Sequence, residues 1–276
     1  MINGDFYKVS CVFAFYEGGS VVLLASAIES ILCQTVAPSE IILVIDGPLS
    51  ESKDSALKEM LRILENRNAI PIEIVRLPIN GGPGVARDVG IRKANSRFVA
   101  VMDADDISVP ERFELQINAF KEDSDLSVVG GTIMEDISGR LRTVPLSPDE
   151  IRKTIRIKCP INNMTVMIKR QAYLEVGGYP GKRTSEDYEL WGRFVSKGYK
   201  IINLPNILVH ANYSNGADLR RLGLKVFRDD LKTQQFLLTS RCLNHLEFFR
   251  NLVLYFVFRM SPRQLLSFYY RFFLRR

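Results

Sequence analysis

The sequence predicts an α/β protein built on a parallel sheet, and three observations carry that prediction. Short apolar runs rich in strand formers, Val9–Phe15 and Ile41–Ile45, flank Val21–Gln34, which sets Leu24, Ile28, Ile31 and Leu32 on one helical stripe. Strand, helix, strand in so short a stretch is a βαβ unit, whose strands run parallel. The alternation then repeats, with Ser50–Arg67 as helix, Ile72–Leu77 as strand, Pro83–Ala94 as helix and Phe98–Met102 as strand. The last of these is wholly apolar, as a strand buried on both faces must be.

Pro83 and Pro110 each suit the first turn of a helix, where a missing N–H costs nothing. Asp106 and Ser108 are the candidate caps of the helix that carries Phe113, Ile117 and Phe120. After Asp123 the regular alternation ends. Leu126–Val129 and Met164–Ile168 are expected as strands, and Ser185–Lys197 as a helix with Tyr188, Leu190, Trp191 and Phe194 on its apolar side. The expected organisation is one body over residues 1–217, with a nucleotide-binding half (1–123) joined without a flexible linker to an acceptor half (124–217). A helical, basic and aromatic extension follows over 218–276.

Charge separates the extension from the body. Residues from Asp218 onward hold 12 basic and 4 acidic side chains, a net of +8, which leaves the first 217 residues at −2. A nearly neutral body with a basic tail suits a tail that meets anions and does not suit a protein that coats nucleic acid. Cys11, Cys33, Cys159 and Cys242 are widely spaced with no CxxC pair, which points to buried cytosolic thiols and away from zinc or a disulfide framework. Met1–Lys8 lacks the basic-then-apolar pattern of a cleaved signal, and the longest apolar run, Leu252–Phe258, stops at Arg259. The body is therefore expected in the cytoplasm.

The apolar run Phe98–Met102 leads straight into Asp103-Ala104-Asp105-Asp106. Carboxylates there lie at the carboxyl edge of a parallel sheet, where open α/β folds bind ligands. Residues i and i+2 of an extended segment share a face, so Asp103 and Asp105 can converge on one hard cation, Mg²⁺ or Mn²⁺. A solvated turn capping the next helix is the plainer alternative. Asp46-Gly47 ends the second strand, where an acidic side chain can meet a ribose or a base edge, although Asp-Gly is also a common turn. Asn80–Gly90 is glycine-rich at a helix start and holds Arg87, but its spacing is neither a Walker loop nor a dinucleotide fingerprint. Glu186-Asp187 opens a helix; the helix dipole favours acids there, and one of them could instead take a proton from an attacking hydroxyl.

Taken in order, these segments resemble the family-2 glycosyltransferases, the inverting GT-A enzymes that use nucleotide-sugar donors. The likeness runs from about Lys8 to Asn215. Val9–Glu17 is similar to the family's first strand and Tyr-containing loop, with Ala14 for its Pro and Glu17 for its Asn. Ala27–Thr35, including Gln34-Thr35, resembles its first helix, and Ile45 replaces the first Asp of its Asp-Asp-Gly-Ser turn. Asn80, Gly82, Ala86, Arg87 and Gly90 match its Asn-x-Gly-x-x-x-Ala-Arg-Asn-x-Gly segment, with Asp88 for the second Asn. Asp103-Ala104-Asp105-Asp106 resembles its DxD motif, and Glu186-Asp187 with Trp191 its Glu-Asp-x-x-x-Trp motif. Pro160–Met167 and Val176–Tyr179 resemble the amylovoran-type branch, which builds bacterial surface polysaccharides.

The resemblance implies a GT-A fold, a Rossmann-like parallel or mixed sheet flanked by helices. It implies a UDP-sugar donor held by Tyr16, Glu17, Asp46, Arg87, Asp103, Ala104 and Asp105, with Asp46 at the base and Asp103 at the ribose. Mn²⁺ or Mg²⁺ would sit on Asp105 and Asp103, with His210 as a third ligand or, equally, as a histidine packed at a strand end. Asp187 would be the base, with Glu186 and Trp191 on the acceptor side. The acceptor would be a lipid-linked oligosaccharide at the inner face of the plasma membrane.

Phe249–Phe272 contains eight Phe or Tyr residues interleaved with arginines. That pattern suits a helix in a membrane interface, and a helical hairpin packed on the body or on a dimer mate is the alternative. RNA binding lacks any matching fold signal. Among other functions, a sugar nucleotidyltransferase would carry a cationic phosphate loop after the first strand, which Phe15–Gly19 lacks. A non-catalytic sugar-nucleotide-binding protein would not be expected to keep Asp103, Asp105 and Asp187.

Overall fold

The structure is a computed structural model and describes residues 7–136, 139–212 and 222–261. The first half follows the expected alternation: β1 (Val9–Phe15), α1 (Val21–Leu32), β2 (Glu40–Ile45), α2 (Glu51–Arg67), β3 (Ile72–Arg76), α3 (Pro83–Lys93) and β4 (Phe98–Asp103). The strands lie in the parallel order β3-β2-β1-β4, with Phe13 level with Leu43 on one side and Met102 on the other. Alternation along these strands splits the core in two. Phe13, Phe15, Leu43 and Met102 pack toward α1 and α2. Val12, Val44, Val99 and Val101 pack on the opposite side with Ala86 and Ile91 of α3.

The second half departs further from expectation. β5 (Ile107–Ser108) is a short strand, and α4 (Arg112–Glu122) starts two residues after Pro110. The proline therefore stands outside the helix, and neither Asp106 nor Ser108 caps it. Ser108 is tied to Gln34 and Val109, and Asp106 accepts from the Asn212 amide. β6 (Leu126–Glu135) is much longer than Leu126–Val129 and folds back on β7 (Arg140–Arg142). α5 (Pro148–Thr154) opens with a capping box between Ser147 and Glu150. Met164–Ile168 is divided: Asn163–Thr165 forms one 3₁₀ turn and only Met167–Lys169 is strand, β8. α6 (Arg170–Glu175) and α7 (Glu186–Ser196) follow, then β9 (Lys200–Ala211), a strand not anticipated beside β6. Cys33 is exposed, against the expectation of buried thiols, whereas Cys11 and Cys242 are buried.

The full sheet runs β3-β2-β1-β4-β8-β6-β9-β5, parallel at the donor end and mixed beyond β4, with β7 paired to β6. β5 joins β9 at Ile107 and His210, which brings the chain after β4 back to the same sheet edge.

The extension begins with α8 (Leu224–Thr239) and α9 (His245–Met260), a helical hairpin packed on α7. Gly192 in α7 makes the approach possible, since a Cβ there would lie 2.5 Å from Leu237. The remainder of the tail, residues 262–276, lies outside the described residues, as does Ser214 beside His210. No described helix is long and apolar enough to cross a membrane.

Candidate active site

The carboxyl ends of β1, β2 and β4 open on one edge, and the loops there are held by side chains. Asp46, 5% exposed, accepts from the amides of Gly81 (2.7 Å) and Gly82 (2.9 Å), and Asn80 Nδ2 donates to the Asp46 carbonyl. In this state its carboxylate shapes the loop that leads into α3. Gly82 has φ +96°, a left-handed value that favours glycine, and Pro83 then starts the helix. Glu17 holds the neighbouring loop by accepting from the Ser50 amide and hydroxyl at 2.9 and 3.0 Å, bonds that hold its pKa low. Tyr16 is exposed beside it, folded over Gly18.

Arg87, one turn into α3, joins two motifs that lie far apart in sequence. One Nη pairs with Asp103 at the end of β4, and the other reaches Glu186 Oε1 at 3.4 Å. Burial works against its charge, but Asp103, then Tyr179 and Glu186, more than offset that and raise its pKa. Gly84 makes room for this contact, because a Cβ there would sit 2.8 Å from Glu186 Cγ. Glu186 is 7% exposed, and burial first, then Asp187, push its pKa up to about 7 against the opposing pull of Arg87.

The turn after β4 splits its carboxylates. Asp105 is exposed, Asp103 is partly exposed, and Asp106 is buried. Asp106 accepts from the Asn212 amide at 2.8 Å through Oδ1, while its buried Oδ2 has no hydrogen-bond partner among the described residues. Burial, then Asp103, push its pKa up to about 8. Behind this edge lies Arg112, fully buried, donating to the Val101 and Val166 carbonyls and held by Gln116. Burial lowers its pKa to about 10, opposed first by Cys11 and then by Asp106 and Asp103.

Among the described residues no three His, Cys, Asp or Glu side chains gather into a protein cage for a metal. His210 Nδ1 instead faces Asp136 Oδ1 at 3.4 Å. The donor set of Asp103 and Asp105 nevertheless fits Mg²⁺ or Mn²⁺ carried on a diphosphate, which needs one or two carboxylates from the protein and takes its other ligands from phosphate and water.

Asp187 is half-buried. Its Oδ1 accepts from the Tyr188 amide at 2.8 Å, and its Oδ2 accepts from the Cys159 thiol at 3.9 Å. The turn that presents it is braced from the C-terminal hairpin. Ser185, at φ +56°, donates to Asp230 Oδ1 at 2.6 Å, and Asp230 is ion-paired to Arg259 at 2.7 Å. Thr184 donates to Asp229 at 2.7 Å, and Lys182 pairs with Glu189 at 2.9 Å. Trp191 is 0% exposed in the core, so it anchors α7 and does not face an acceptor.

Residues 10–176 match the family described as Glycosyl transferase family 2. The chain belongs to that family. It is thus a glycosyltransferase. It is 34% identical over 245 residues to the amylovoran biosynthesis glycosyltransferase AmsE of Erwinia amylovora, covering 87% of this chain and 88% of that one. It is also 27% identical over 280 residues to the UDP-Gal:alpha-D-GlcNAc-diphosphoundecaprenol beta-1,3-galactosyltransferase of Escherichia coli, covering 100% and 99%. Staphylococcus aureus TarS 1–349, solved with UDP-GlcNAc, superposes with a TM-score of 0.67 at 18% identity, over 95% of this chain and 75% of that one. That likeness establishes the GT-A fold for this glycosyltransferase.

Sequence reasoning missed four parts of the site: Arg112, the Cys159–Asp187 contact, the Asp230–Arg259 brace and the burial of Asp106. Arg112 carried no signal that singled it out, since α4 also holds Glu114, Gln116, Asn118, Lys121 and Glu122. The other three depend on chain segments that meet only in the fold.

Proposed function

We propose that this glycosyltransferase moves a sugar from a UDP-sugar to a hydroxyl of a lipid-linked oligosaccharide during bacterial surface-polysaccharide synthesis, by one displacement that inverts the anomeric centre. The observation that carries this reading is Arg87, which bridges Asp103 on the donor edge to Glu186 beside Asp187. Glu186 is turned inward onto Arg87, which leaves the adjacent Asp187 as the better-placed base for an acceptor hydroxyl. The names of the relatives support a polysaccharide product and a diphosphate-linked lipid acceptor.

A divalent ion on the donor diphosphate, held by Asp105 and Asp103, would neutralise charge on the leaving nucleoside diphosphate. The chain's own residues do the remainder. Asp46 and Glu17 fix the loops around the base and ribose, and Asp187 accepts the proton from the attacking hydroxyl. Asp187→Asn keeps the size of the side chain but removes the base, so turnover should fall by a factor of roughly 10² or more with UDP affinity unchanged. Normal transfer in this variant, paired with weak donor binding, would reverse the assignment.

The reading places the enzyme on the inner face of the membrane, and α9 supports that. Its inward side joins Asn251 to Gln234 and Arg259 to Asp230 and packs Tyr255 against the body, while Leu246, Phe249, Val253, Leu254, Phe256, Val257 and Met260 are exposed. At 3.6 residues per turn these seven occupy a sector about 160° wide. Residues 248–276 contain six arginines and no acidic residue, a charge that repels a second copy and suits anionic lipid. Phe249→Glu with Val253→Glu, both on the exposed face, should release the protein from anionic vesicles in flotation and leave the fold intact. Unchanged flotation would remove α9 as the anchor.

A further inference from the structure

A second cleft, of about 400 Å³, lies between β7, the segment after it, and α5. This is within the range of roughly 300–1,000 Å³ typical of small-molecule sites. Cys159 is one of its lining residues, and the Cys159 thiol is the group that donates to Asp187 Oδ2. A residue that lines the cleft therefore also touches the proposed base.

Its charged groups are unevenly committed. Glu150 accepts from the Leu146 and Ser147 amides at 3.0 and 2.9 Å, and Glu135 is 3% exposed. Arg140 stands opposite Glu135 in the β6–β7 ladder. Arg142 and Lys158 also line the cleft, are half-buried, and form no ion pair among the described residues. The Asn162 side chain donates to the Arg142 carbonyl at 3.2 Å, which fixes that strand end beside the segment carrying Cys159. Two uncommitted cations in a confined cleft are an anion site, since a guanidinium and an ammonium there gain more from an anionic ligand than from water.

We propose that this cleft is the acceptor subsite and that Arg142 and Lys158 take an anionic group of the acceptor while its hydroxyl lies at Asp187. Two acceptor chemistries supply such a group, a diphosphate linked to lipid and the carboxylate of a uronic acid. This rests on the glycosyltransferase reading given above for Asp187.

Two measurements on the full-length protein test it. The first is calorimetric binding, without donor, of geranyl-diphosphate-linked N-acetylglucosamine, of methyl glucuronide and of methyl N-acetylglucosaminide. The second is steady-state transfer to the same three compounds. Arg142→Gln and Lys158→Gln should each weaken binding of the charged acceptor, and raise its KM, about tenfold or more. KM for the UDP-sugar and affinity for UDP should stay unchanged, and Arg142→Lys should restore most of the loss. Selective loss for the diphosphate compound identifies lipid diphosphate, and selective loss for the glucuronide identifies an acidic sugar. Equal weakening of the neutral glycoside, no weakening of either charged compound, or a raised donor KM would each overturn the proposal. Binding that depends on Arg142 and Lys158 in a protein that transfers no sugar would overturn the transfer reading and leave this subsite standing.

Discussion

The two sides of the active site are held in different ways. On the proposed donor edge, Asp103 ends a strand whose partners β1 and β8 set its position through ladder hydrogen bonds, and Asp46 follows a neighbouring parallel strand. On the proposed acceptor side, Asp187 stands on a turn braced by Cys159 and by Asp230 of the C-terminal hairpin. The carboxylates of the proposed donor edge follow from periodic local structure, while the proposed base depends on isolated polar contacts between distant segments. Arg87 joins the two, so substitutions can be chosen that strike one side and spare the other.

The largest separation should come from Asp105→Ala. Asp105 is exposed at the donor edge and makes no contribution to the core. The variant should fold normally, lose transfer to below detection and lose the Mn²⁺-dependent part of UDP binding, measured by calorimetry with and without chelator. Retained metal-dependent binding would show that Asp103 alone carries the ion.

The contrast also explains what was legible before the fold was known. The βαβ alternation, the apolar strand before Asp103 and the helix at Glu186 are patterns of period 2 and 3.6, and each element formed within a few residues of its expected bounds. Pro110 misled because the same proline serves a turn before a helix as well as its first turn. Met164–Ile168 misled because an apolar run does not distinguish a strand from a buried 3₁₀ turn. Of β9 only an end at His210 was legible, because Pro205 and Asn206 interrupt the strand where the register shifts between Gly131 and Thr132. Of the site, Asp103, Asp105, Arg87 and Asp187 were readable as motif positions. Their neutralising and bracing partners, Arg112, Cys159 and Asp230, carry no motif, since what selects them is a neighbour in space.

An intermediate effect is expected at the brace. Ser185→Ala removes the hydroxyl that donates to Asp230 and leaves the backbone at a left-handed φ. A hydrogen bond to a charged group is worth about 1.5–3 kcal/mol, and part of that loss should appear as misplacement of Asp187. Turnover should fall about tenfold with UDP affinity unchanged. Ser185→Asn, which tolerates the left-handed region and keeps a donor, should recover part of it. A parallel fall in UDP affinity would mean that the two sides are not mechanically separate.

The smallest effect concerns Glu186, the residue at the join. Its pKa rises from 4.5 to about 7, with burial as the main cause and Asp187 second, so the folded protein holds a proton there that the unfolded chain releases near 4.5. Between those values the native state binds more protons, and stability falls as pH rises through the window. Below 4.5 the contribution is complete, and above 7 it is lost. Asp106 acts with the same sign from 3.8 to about 8, so the pH dependence has two sources at one sheet edge. Glu186→Gln should therefore raise the thermal midpoint at pH 8 relative to the parent, change it little at pH 4.5, and leave a residual slope from Asp106. A midpoint that falls equally at both pH values would mean that the Arg87 contact outweighs the burial of the charge, and that the join between donor edge and base is held by that ion pair.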